Sequence, residues 1–225
     1  MTLKVGIAGY GVVGKRRRFF IDAHEALKTV AVCDQNFAED GQMDDGVAYF
    51  TNYEKLLGTD LDILFVCLTN DVNHAVTIAG LEKGFHIFCE KPPVSSTQEL
   101  NRIKKLNLDK VYFNFNFRFS KIANILTNRK KYNLGKLIYG EVVSAHGLAY
   151  KKSYVNSWRA SKKNCSKGVF ETVSIHWVDI LNFIFSIKDH KTQLMNTTKK
   201  GDSFDTSHTN VETKCGGKVN IFSTY

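Results

Sequence analysis

Three glycines, Gly9, Gly11 and Gly14, stand as Gly-x-Gly-x-x-Gly within VGIAGYGVVGK, after a short apolar run and at the start of a segment with helical spacing. In that context each glycine has a task. The first allows a tight turn, the second lets backbone approach a pyrophosphate, and the third lets helix pack closely on strand. Val12 and Val13 open the helix, whose unpaired N–H groups and positive dipole end suit phosphate oxygens. Twenty residues beyond Gly14, Asp34 ends a second apolar run, VAVCDQN. A carboxylate there can accept the hydroxyls of an adenosine ribose and would repel a 2′-phosphate. Gln35 and Asn36 follow, with no arginine to receive such a phosphate. The chemistry points to NAD(H) in preference to NADP(H).

Two further stretches carry reactive side chains. HIFCEKPPVS, residues 86–95, holds the only two prolines of the chain, immediately after Glu90 and Lys91. Proline fixes φ and removes a backbone donor, so the strand must stop there at a defined angle. A strand-to-loop turn with a surface ion pair accounts for the segment taken alone. In GVFETVSIHWVDIL and the residues after it, helical spacing gathers Glu171, Thr172, His176, Asp179 and Asn182 within a ~140° arc. Periodicity alone reads this as the water-facing side of an amphipathic helix.

The elements that must position these residues are legible in the first half. Short apolar runs read as strands over 4–8, 29–33, 47–50, 61–68, 86–89 and 110–119. Helical spacing separates most of them, over 14–27, 53–57, 73–83 and 96–106. Strands apolar at nearly every position are buried on both faces, so this alternation predicts a doubly wound parallel sheet. Past residue 118 the pattern becomes α+β. A helix near 121–132 precedes a strand over 136–144, an irregular polar segment and an apolar helix over 169–185. Strands near 192–196, 209–215 and 218–224 follow, read as mostly antiparallel. The expected division is 1–118 and 119–225.

Bulk composition narrows the classes. The net charge of +9 suits an anionic partner, but the basic residues fall in short, scattered clusters without zinc-finger spacing or an aromatic RNA-binding signature, so nucleic acid is not expected as a partner. Five cysteines stand singly, none in a CxxC, which predicts reduced thiols in a cytoplasmic protein and no zinc site. KRRRFF lacks the apolar stretch that an export signal places after its arginines, and no run is long enough to span a membrane.

Taken jointly, the glycine turn, Asp34, the Glu90-Lys91-Pro92 triplet after GLEKGFHIFC and the later NFNFRF resemble the glucose-fructose oxidoreductase/inositol dehydrogenase/MocA family. The resemblance runs from residue 1 to about 185 and more loosely beyond. It implies an NAD-binding Rossmann domain followed by an α+β domain for substrate and oligomerisation, shorter here than is usual. It also implies hydride transfer between nicotinamide and a hydroxyl or keto carbon of a sugar, nucleotide-sugar or cyclitol. Lys91 would be a catalytic or substrate-orienting ammonium, held by Glu90 and Pro92, with a cis bond before the proline.

Of the family's Thr-Pro-Asn-x-x-His loop, Thr69 and His74 match while Asn70 replaces the proline. Of its Asp-x-Gly-x-His-x-x-Asp, His176 and Asp179 remain while Thr172 and Ser174 depart, and the preceding glycine approach is thinned to Gly168. The resemblance makes His176 the proton-transfer group and places Asp179 and Thr172 near substrate. Arg159, in a Trp-Arg pair, would bind an anionic or hydroxyl-rich group. Asn114 and Arg118 would lie at the domain junction. A homo-oligomer paired through the second sheet is expected. The altered helix motif leaves room for a non-catalytic NAD-sensing or partner-binding protein on the same fold.

Overall fold

In the computed structural model, which describes residues 2–225, the apolar runs of the first half form one seven-stranded sheet. Its strands are β1 (Leu3–Ala8), β2 (Leu27–Cys33), β3 (Gly41–Gln42), β4 (Ala48–Phe50), β5 (Ile63–Val66), β6 (His86–Cys89) and β7 (Val111–Phe113). The order is β3-β4-β2-β1-β5-β6-β7, parallel except where the short β3 pairs with β4. Between the strands run α1 (Val12–Asp22), α2 (Tyr53–Leu56), α3 (Asn73–Glu82) and α4 (Thr97–Ile103). Successive side chains of a strand point to opposite faces, and both faces find partners. Val5, Ile7 and Val32 pack with Ile21 of α1. Ala8, Leu64, Val66 and Ile87 pack with Leu56, Val76 and Ile103 of α2, α3 and α4. Burial on both faces explains why the strands read as unbroken apolar runs.

Register decides where the chemistry goes. Ala8 lies beside both Cys33 and Val66, Val66 beside Cys89, and Cys89 beside Phe113. The carboxyl ends of five strands are therefore level, and Gly9, Asp34, Glu90 and Asn114 each follow one of them directly.

The described residues divide into two compact units, one ending at Asn114 and one comprising Phe115–Tyr225. The second contains α5 (Lys121–Thr127), β8 (Tyr139–Ala145), α6 (Ile175–Phe185), β9 (Ile187–Met195), β10 (Thr206–Thr213) and β11 (Lys218–Thr224). Its sheet runs β8-β11-β10-β9, antiparallel except for the β8–β11 pair. Leu181 and Phe185 of α6 pack on Val211, Val219 and Ile221 of that sheet.

Several boundaries differ from the sequence reading. The run over 110–119 is a strand only across β7; Asn116–Phe119 forms a 3₁₀ turn. The apolar helix over 169–185 is two pieces, a π-helical turn at Phe170–Ser174 leading into α6. A π turn closes i→i+5 bonds instead of i→i+4, so spacing counted at 3.6 residues per turn misplaces its side chains. The first part of the polar stripe accordingly does not face water, whereas Asn182 at its end is exposed. Glu171, Thr172 and His176 are all buried.

Candidate functional site

The glycine turn has the clearances that its pattern predicts. Gly9 sits at φ +92, and a Cβ there would lie 2.4 Å from the Cys67 carbonyl oxygen. A Cβ on Gly14 would lie 1.9 Å from the carbonyl oxygen of Gly9, so helix and turn touch through bare backbone. Gly11 is different, because a Cβ there would meet nothing within 4 Å. Packing does not require glycine at that position; the open space above it suits close approach by another molecule. Gly11 caps α1 with no side-chain hydrogen bond and no acid in the first turn, which leaves the helix N–H groups and dipole end available. Val12 and Val13 are exposed beside it.

Asp34, at the end of β2, holds the turn in shape. Its Oδ2 accepts from the Tyr10 backbone N–H at 2.8 Å. Its Oδ1 accepts from the Asn36 N–H at 3.0 Å and from Asn36 Nδ2 at 2.7 Å. A carboxylate offers about four acceptor positions, so roughly one remains for a ribose hydroxyl. A second hydroxyl would replace the Asn36 amide. The residues thus fit a dinucleotide: bare glycine backbone and a free helix end for the pyrophosphate, and a carboxylate for the ribose.

At the end of β6, the Lys91–Pro92 peptide is cis. Glu90 Oε1 accepts from Arg17 Nε at 3.0 Å, from Arg17 Nη2 at 2.5 Å and from Asn114 Nδ2 at 2.8 Å. Asn73, fully buried, accepts from the Leu68 N–H at 3.2 Å, and its Nδ2 reaches the Pro92 carbonyl at 3.5 Å. The Glu90-Lys91-Pro92 turn is therefore held from α1, from the start of α3 and from the end of β7. Sequence reasoning missed Arg17 and Asn73. The one signal for Arg17 was its place three residues after Gly14, on the helix face that meets the sheet. Thr69 caps the start of α3 through its carbonyl, which accepts from Val72 and Asn73. His74 Nδ1 lies 3.6 Å from Glu99 Oε2.

In the second unit, α6 carries His176 in its first turn. The imidazole stacks on Phe117 at 4.3 Å with 16° between the rings, and Phe117 meets Trp177 edge-on at 5.3 Å. Asp179 accepts from Arg118 at both oxygens, Nε to Oδ2 at 2.7 Å and Nη2 to Oδ1 at 2.5 Å. Its carboxylate is engaged by Arg118, the fork-on-fork arrangement that makes such pairs strong. Arg118 also lies over the Phe183 ring at 4.6 Å.

The two departures from the helix motif are both accommodated by hydrogen bonds. The Thr172 hydroxyl meets the Tyr225 hydroxyl and also reaches the Gly168 carbonyl at 3.2 Å. Ser174 Oγ pairs with Ser207 Oγ at 2.9 Å. Gly168, the survivor of the glycine approach, is indispensable: at φ +55 a Cβ would lie 1.8 Å from the Phe204 carbonyl oxygen. Tyr225, which no pattern singled out, is buried, and burial raises its pKa. Arg159 is half-buried with its guanidinium over the Trp158 ring at 4.3 Å. Among the described residues no group of three His, Cys, Asp or Glu could hold a metal ion, and no helix is long and apolar enough to cross a membrane.

Residues 3–110 match the model of the GFO_IDH_MocA family, described as an oxidoreductase family with an NAD-binding Rossmann fold. The chain is 25% identical over 206 residues to inositol 2-dehydrogenase of Salmonella paratyphi B, covering 85% of this chain and 57% of that protein. It is 24% identical over 218 residues to D-glucoside 3-dehydrogenase of Escherichia coli, covering 90% of this chain and 61% of that protein. The chain thus spans about three fifths of the length of these relatives. The crystal structure of the WlbA dehydrogenase from Bordetella pertussis, in complex with NADH and UDP-GlcNAcA, superposes with a TM-score of 0.82 at 17% identity, covering 100% of this chain and 72% of that one.

Proposed function

Because the chain belongs to the glucose-fructose oxidoreductase/inositol dehydrogenase/MocA family, we propose that it is an NAD-dependent dehydrogenase or reductase. Its substrate in this reading is a hydroxyl or keto carbon of a sugar, nucleotide-sugar or cyclitol. The observation that carries the reading is the glycine turn: Gly11 opens on empty space at an uncapped helix N-terminus, level with Asp34. Glycine backbone and the α1 N–H groups bind the pyrophosphate, and Asp34 takes a ribose hydroxyl and disfavours a 2′-phosphate, so NAD(H) is preferred over NADP(H). The nicotinamide supplies hydride chemistry when bound. The Lys91 ammonium polarises the substrate oxygen, and Glu90, fixed by Arg17 and Asn114, sets the position of Lys91. His176 takes or returns the hydroxyl proton, the task for which an imidazole is suited near neutral pH.

Titration with NADH and NADPH, followed by nicotinamide fluorescence, tests the reading. NADH binds more tightly than NADPH, and Asp34→Arg weakens NADH at least tenfold. Failure of both cofactors to bind would overturn it.

A second reading, a non-catalytic NAD-sensing protein, is favoured by one observation. Thr172 and Asp179 already have Tyr225 and Arg118 as partners where a substrate would need them. It predicts NADH binding without turnover, unchanged by Lys91→Ala.

A further inference from the structure

The 3₁₀ turn Asn116–Phe119 engages one face of α6 at two successive levels. Phe117 meets the first turn of the helix, stacked on His176 and edge-on to Trp177. Arg118 meets the next, where its guanidinium holds both oxygens of Asp179 and lies over the Phe183 ring. His176, Asp179 and Phe183 stand at i, i+3 and i+7, the spacing of a single helix face. Neighbouring side chains of one short turn thus grip the polar stripe of α6.

Both sides of this contact are braced. Within the turn, the Arg118 N–H donates to the Phe115 carbonyl and the Ser120 N–H to the Phe117 carbonyl, each at 3.0 Å. Arg118 also lies over the Phe115 ring at 5.5 Å. Ser120 then caps α5 through its Oγ, which accepts from the N–H of the buried Ala123. On the helix side, Trp177 donates from Nε1 to Ser144 Oγ at 3.1 Å and so ties the start of α6 to β8. The Asp179 side chain is only 11% exposed, and the guanidinium fork takes both of its oxygens.

We infer that Phe117 and the Arg118–Asp179 pair form a clamp that positions the His176 imidazole, and that Asp179 acts through this clamp and not as a substrate contact. The inference rests on the oxidoreductase reading, in which His176 moves the proton. Which imidazole nitrogen carries a proton is set by the hydrogen bond that the other makes. A ring whose plane is fixed by stacking therefore keeps one tautomer, and a ring free to rotate does not.

Nuclear magnetic resonance of the full chain carrying isotope-labelled histidine tests this. The His176 signals are those missing from His176→Asn, and at a pH where the ring is neutral they report one tautomer. Phe117→Leu keeps apolar bulk but removes the flat face, so the two nitrogen signals of His176 converge toward a tautomer mixture. Phe117→Tyr keeps the single tautomer. Arg118→Gln and Asp179→Asn each produce the mixture, and the double variant goes no further than either alone, because the pair acts as one unit. In every variant the Trp177 indole N–H stays protected from exchange, which shows that α6 remains seated on its sheet. His176 signals unmoved by Phe117→Leu, or moved by it but not by Asp179→Asn, would overturn the clamp.

Turnover of myo-inositol or glucose 6-phosphate with NAD supplies the second readout. Asp179→Asn lowers kcat about tenfold or more and leaves KM within about twofold. A raised KM at unchanged kcat would make Asp179 a substrate contact instead. Clamp-dependent His176 signals in a protein that turns over neither sugar would count against the dehydrogenase reading and leave the positioning standing. Turnover with signals indifferent to the clamp does the reverse.

Discussion

His176 has a fixed placement, its imidazole stacked face to face on Phe117 and buried in the first turn of α6. Stacking fixes the plane of the imidazole and thereby the direction of its nitrogens. In the proposed reaction the group moves one proton, and general acid–base catalysis contributes about 10²–10⁴-fold. His176→Ala therefore lowers kcat by roughly that factor, removes the limb of the pH–rate profile belonging to the imidazole, and leaves the NADH titration unchanged. Loss of kcat with an unaltered pH profile would assign His176 a packing role. In the proposed reading Asp34 serves twice. It shapes the turn through Tyr10 and Asn36 and still keeps an acceptor for a ribose. Asp34→Arg consequently disturbs the turn as well as the cofactor preference, and the NADPH arm of the titration separates these effects.

At the scale of elements, α1 does more than offer its N-terminus. Through Arg17 it reaches the end of β6, so the helix proposed to receive the pyrophosphate also anchors the turn that carries Lys91. Glu90 is largely buried, with a side chain 12% exposed. Arg17→Met takes the guanidinium from its carboxylate and leaves the Asn114 amide in place. Losing charge-assisted hydrogen bonds of this kind costs about 2 kcal/mol, which in a chain of this size lowers Tm by roughly 4–8 °C. Arg17→Lys recovers part of the loss, because a lysine cannot present two donors from one rigid plane. Thermal melts of the three proteins check this; equal Tm values would show that Asn114 alone suffices.

At the scale of the whole molecule, the placement of the five cysteines makes a simple test of both cores. Burial pushes the Cys33 and Cys89 thiols up to about 12 and Cys67 higher still, and Cys165 is fully buried. Cys215 is exposed in the β10–β11 turn, where hydrogen bonds from the Thr213 hydroxyl and the Gly217 N–H lower its pKa. The thiolate is the reactive form, so one thiol reacts rapidly with a disulfide reagent at pH 8, and all five react after unfolding. Two or more fast thiols in the native protein would mean that a core is open. The outer strand β8 and the residue before it expose Ile138, Tyr139 and Val143. Unpaired outer strands with apolar side chains favour association, and we propose that two copies pair there. Sedimentation then shows a dimer that Val143→Lys shifts toward monomer; a monomer at all concentrations would exclude the pairing.

Local chemistry by itself determined part of this protein. The glycine turn, the carboxylate at the end of β2 and the alternation of strand and helix up to β7 are legible in the sequence because each depends on residues a few positions apart, within one turn or one period. The tertiary structure decided the rest. Arg17 and Glu90 lie 73 positions apart, and Thr172 and Tyr225 lie 53 apart; no periodicity encodes such pairs. The polar stripe on the 169–185 segment illustrates the limit most clearly. Counted at 3.6 residues per turn it belongs in water, whereas the π turn at Phe170–Ser174 and the partners Phe117, Ser207 and Tyr225 turn its first half inward. Hydrogen-bond geometry within a turn and partners from distant strands set that direction, and both exist only once the chain has folded.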